Sequence, residues 1–113
     1  MSALAVLEEL SQSAISPFEQ SVINFDPNCI AVDRLVTSLE SKIEMVYAYA
    51  AITSRKCDDI DGVSKIWEAV ANVCESAEGL IGRLEMQYPD CGPYQTRISD
   101  FRERALELQE LHS

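Results

Sequence analysis

Residues 31–56 read AVDRLVTSLESKIEMVYAYAAITSRK, and the order of their apolar positions decides the fold class. Val32, Val36, Leu39, Ile43, Val46 and Ala50 recur in steps of four and three. That spacing holds them on one face of a helix that turns once every ~3.6 residues. A strand needs apolar residues at every second position, and no segment of the chain reads that way. Upstream, Asp26 and Pro27 suit a cap and first turn, because proline has no amide hydrogen to leave unpaired. Arg55 and Lys56 put positive charge at the negative end of the helix dipole. A helix is expected over about 26–56.

The same pattern continues on both sides. Over 60–88, Val63, Ile66, Val70, Val73, Ala77, Leu80 and Leu84 step by three and four. Trp67, Cys74, Ile81 and Tyr88 flank them at intervals of seven. So broad an apolar face implies two neighbours rather than one, as in a bundle. Gly79 and Gly82 fall inside this helix, where missing side chains would let a neighbouring helix come close. After the loop YPDCGPY, Tyr94, Ile98, Phe101, Ala105 and Leu108 mark a last helix over 93–111, with Pro93 in its first turn. Before residue 26, Leu4, Leu7, Leu10 and Ala14 suggest one short helix. Ser16-Pro17-Phe18-Glu19 then fits a capping box that opens a second, carrying Phe18, Val22 and Phe25. The expectation is an all-α fold: an antiparallel bundle of about four helices in one domain, 1–113, its first helix broken near Pro17.

Composition narrows the function. The 113 residues are 47% hydrophobic, enough for one core. Nine Lys and Arg against nineteen Asp and Glu give a net charge of −10. Nucleic acid and anionic membranes call for cationic surface, so neither is an expected partner. No run approaches the ~20 apolar residues that span a bilayer. MSALAVLEELSQS lacks a basic start and is interrupted by Glu8 and Glu9, unlike a signal peptide. The expected location is the cytoplasm, with Cys29, Cys57, Cys74 and Cys91 as free thiols.

Motifs with chemical potential are few. CDDIDGVSKIWE, residues 57–68, approaches the frame of a calcium loop, with Asp59, Asp61, Gly62 and Glu68 in place. However, Cys57 is a poor first ligand for a hard cation, and Lys65 adds positive charge near the ion. The stretch reads as an acidic turn in which Asp58, Asp59 or Asp61 caps the next helix. CESAEGLIGRLE, 74–85, repeats the frame only inside a helical pattern. The cysteines, spaced 28, 17 and 17 apart, contain no C-x-x-C, and His112 is the one histidine. Cys91, beside Asp90 in the loop, is the only cysteine that reads as an exposed candidate for redox chemistry. With no internal histidine there is no imidazole base, and the chain is not expected to be an enzyme or to carry a metal or cofactor. Arg97, Arg102 and Arg104 gather on the last helix, where they can pair with acidic neighbours such as Asp100 and Glu103, so they do not read as a nucleic-acid patch.

Met45, Tyr49 and Ile52 form a second stripe on the 26–56 helix, about 80–140° from Leu39. Either this helix is central and buries both stripes, or the second is an exposed strip for a partner helix. The second alternative makes the chain a non-enzymatic protein-binding module: a small acidic helical chaperone, adaptor or inhibitor. Met45, Tyr49 and Ile52 then carry the contact, with Trp67 and Tyr88 as neighbours, and the partner is a basic or helical protein. The rival reading is a homodimer that buries the same strip against its twofold mate. A calcium or thiol-redox sensor is the third.

Overall fold

The structure is a computed structural model and describes residues 2–24, 32–57, 60–88 and 92–111. Four helices make it up: α1 (Ala3–Ile23), α2 (Val32–Arg55), α3 (Ile60–Glu85) and α4 (Gly92–Leu111). Short connections force each helix to reverse on the one before, and cross-helix contacts give the register. Tyr94 and Arg97 of α4 meet Thr37 and Glu40 of α2, and Phe101 meets Tyr47, so these two helices run parallel. Gln95 and Arg102 both reach Glu78 of α3, which runs antiparallel to α4.

α2 and α3 each pack on all three other helices, whereas α1 and α4 do not approach each other among the described residues. The cross-section is a rhombus with α2 and α3 on the short diagonal. The core seams follow the expected periodicity. Val36, Leu39, Ile43, Val46 and Ala50 are buried on α2, and all seven seam residues of α3 are buried with Trp67, Cys74 and Ile81. Ile98 and Ala105 are buried on α4, while Tyr94, Phe101 and Leu108 pack half-buried against the same cluster. Leu35, absent from the expected seam, is buried too.

The first helix departs from expectation. α1 is one helix through Pro17, without a break. Proline removes one amide donor and crowds the carbonyl four residues earlier. Here Ser13 and Pro17 both face solvent, where water can satisfy the freed carbonyl, while Ala14 and Phe18 hold the inner face in the core. Ser16 accepts a hydrogen bond from the Gln12 side chain instead of capping a new helix. The helix is capped at Ser2, whose Oγ accepts from the Ala5 amide at 3.1 Å. The glycine expectation also changes. A Cβ at Gly79 would meet nothing within 4 Å, and one at Gly82 would meet only the Gln95 side chain at 3.8 Å, so neither marks a close helix approach.

α3 begins at Ile60, so nine of the twelve places in the 57–68 frame are already helical and cannot wrap an ion as a loop. Asp61 stands in the first turn, favourable for the helix dipole. The caps proposed at Asp26, Pro27, Asp58 and Asp59 lie outside the described residues, as do Phe25, Cys29, Cys91 and His112. No helix among the described residues is long and apolar enough to cross a membrane.

Candidate functional site

α2 buries one face against three helices and leaves the other bare. Met45 is 63% exposed and Ile52 53% exposed. Ala48, between them, is exposed as well. At 100° per residue the three lie within an arc of ~60° and form a straight apolar ridge. Tyr49 flanks the ridge, half-buried and packed against the core cluster. The second stripe thus divides: Met45 and Ile52 are surface, and Tyr49 is its anchored edge.

The two outlying residues do not join it. Trp67 is only 3% exposed and packs inward against Tyr47, ring centroids 5.2 Å apart and planes at 56°. It is core, and the expectation that it neighbours the binding strip is corrected: this flank of the α3 seam faces α2 rather than solvent. Tyr88 follows α3, half-buried against the core. Tyr47 and Trp67 meet while α2 and α3 run antiparallel, so the chain from Trp67 onward leads away from Ile52. The α3 backbone from Trp67 to Glu85 alone covers about 27 Å. Tyr88 therefore belongs to the opposite end of the bundle.

On the other flank of the ridge an open cleft of about 410 Å³ separates α2 from α4. Its floor is Tyr47 and Phe101, centroids 5.3 Å apart and planes at 48°. Arg97 crosses its mouth to Glu40 at 3.2 Å, with its guanidinium 5.1 Å from the Tyr94 ring centroid. Arg104 reaches Glu107 at 3.3 Å. Glu44 and Asp100 also line the cleft and make no ion pair among the described residues. The arginines of α4 were expected to pair with Asp100 and Glu103. Arg97 and Arg102 instead cross to Glu40 of α2 and Glu78 of α3, while Arg104 stays on its own helix with Glu107. Ala48 and the Tyr47–Phe101 pair were missed by sequence reasoning. The signal for Ala48 was its place between Met45 and Ile52; the aromatic pair needs the α2–α4 register.

Between α3 and α4 lies a semi-buried polar cluster. Arg102 Nε is 2.8 Å from Glu78 Oε2, but its N–H does not point at that oxygen, so the contact is an ion pair rather than a hydrogen bond. Gln95 Nε2 donates to the Glu78 carbonyl at 3.4 Å. Beside them Cys74 is fully buried, and burial foremost, then the Glu78 charge, pushes its thiol up to about 12 despite the opposing effect of Arg102. A neutral thiol there is a small apolar filler, not a nucleophile. In a thiol titration of the native protein at pH 8, Cys74 is expected to stay silent and to react only on denaturation. Below its ordinary value of 9.0 both folded and unfolded chains hold the proton; between 9.0 and about 12 the unfolded chain loses it first, so stability falls as pH rises through that window. A urea midpoint rising with pH across that window would contradict the assignment.

No family model matches the sequence, and neither a curated protein nor a solved structure matches it.

Proposed function

We propose that this protein is a non-enzymatic protein-binding module, a small acidic chaperone, adaptor or inhibitor that receives a partner helix along the outer face of α2. One observation carries the reading. A helix packed on three neighbours still holds two large apolar side chains, Met45 and Ile52, out in solvent on one line. Single exposed apolar residues are ordinary, but a pair seven residues apart with alanine between them is the footprint of a helix-to-helix contact. The methionine adds an adaptable, polarisable surface. The net charge of −10 favours a basic partner and repels a second copy, which sets this reading ahead of the homodimer. The buried, unbridged thiol of Cys74 supports a reducing, cytoplasmic setting.

Met45→Gln with Ile52→Gln keeps helix propensity and removes the apolar ridge. The double variant is expected to lose at least ~10-fold in partner affinity, while its unfolding free energy stays within ~0.5 kcal/mol of wild type. Undiminished binding removes the ridge from the interface. Light scattering addresses the homodimer: a monomer mass independent of concentration is expected, and a dimer mass lost in the double variant would establish the rival.

A further inference from the structure

We propose that the α2–α4 cleft seats a lysine or arginine side chain of the basic helical partner that lies along the Met45–Ile52 ridge. This rests on the ridge reading above and names the chemistry of the partner. The cleft adjoins the ridge, since Glu44 on its lip is the residue before Met45 and exposed. A helix laid along α2 therefore covers both at once.

The contents of the cleft select a cation. Its floor is two aromatic rings, whose faces attract positive charge. Its two arginines are already engaged, Arg97 by Glu40 and Tyr94, Arg104 by Glu107. The carboxylates of Glu44 and Asp100 are left to face whatever enters. An aliphatic side chain would fill the aromatic floor and leave both carboxylates uncompensated. A carboxylate would meet two like charges. A long stem with a cationic head satisfies floor and rim together. Exposed Arg55 lies one turn beyond Ile52, so the positive part of the partner belongs at the Glu44 side of the ridge rather than at the α2 C-terminus.

The test uses two synthetic 18-residue amphipathic helices, one of Lys and Leu, the other of Glu and Leu, titrated calorimetrically at physiological salt. The wild-type protein is expected to bind the Lys/Leu helix and not the Glu/Leu helix. Glu44→Gln with Asp100→Asn should weaken binding about 10-fold more than Glu9→Gln with Glu19→Gln, which makes the same charge change on exposed positions of α1. Equal losses in the two charge variants overturn the cleft and leave the ridge standing, provided that Met45→Gln with Ile52→Gln still abolishes binding. Equal binding of both helices overturns the choice of a cation. Binding of neither overturns the ridge and the cleft together.

Discussion

Trp67→Ala is expected to lower the unfolding free energy by about 3–5 kcal/mol and to drop the melting temperature by on the order of 10–20 °C. The residue is 3% exposed on α3, and its ring packs on Tyr47 of α2, which in turn packs on Phe101 of α4. Truncation therefore removes a large apolar surface and opens a cavity where three helices meet. Those helices cannot close the space without moving others, because α2 and α3 form the short diagonal of the rhombus. Urea unfolding of the variant measures the effect. A loss below about 1 kcal/mol would mean that Trp67 is surface and belongs with the binding strip.

The second large effect contrasts two positions two residues apart. Ile43 is fully buried on α2, and Met45 is mostly exposed on the same helix. Ile43→Asp forces a carboxyl among Leu39, Val46 and the seams of its neighbours, with no partner to receive it. Lost apolar burial and the burial of an unpaired polar group each cost several kcal/mol, together comparable with the ~5–15 kcal/mol that holds a domain of this size folded. Circular dichroism at pH 7 is expected to show an unfolded chain. Burial would raise the new carboxyl's folded-state pKa above its unfolded value of ~4, so stability lost at neutral pH should partly return as pH falls toward ~4, with no further gain from this group below it. Met45→Asp, by contrast, should change stability by no more than ~0.5 kcal/mol. If the two variants behave alike, the division of α2 into inner and outer faces is wrong.

The seams of α2 and α3 were legible in the sequence because burial on a helix is a local projection. Residues three and four apart share a face whatever the rest of the molecule does, and Val36 to Ala50 needed no knowledge of partners. Pro17 misled for the opposite reason. Its cost depends on whether the freed carbonyl meets water or core, and that depends on which face of α1 turns outward. Met45 and Tyr49 show the same limit within one stripe: the angle from Leu39 placed both off the core seam, but the placement of the neighbouring helices decided that Tyr49 packs while Met45 stays exposed. The arginine partners were misassigned because neighbours along α4 are visible in the sequence and those across the bundle are not. The cleft has no sequence signature at all, since Glu44 and Asp100 are 56 residues apart and meet only through the parallel register of α2 and α4.

The central claim is that the outer face of α2 is an interaction surface separate from the core. The most direct measurement is quantitative affinity capture in the native host, wild type beside Met45→Gln/Ile52→Gln, with a urea melt of each. The wild type is expected to retain a stoichiometric protein carrying a basic amphipathic helix, the double variant to release it, and the two melts to coincide. Retention of the same proteins by both forms, or a melt shifted downward in the double variant, would contradict the claim.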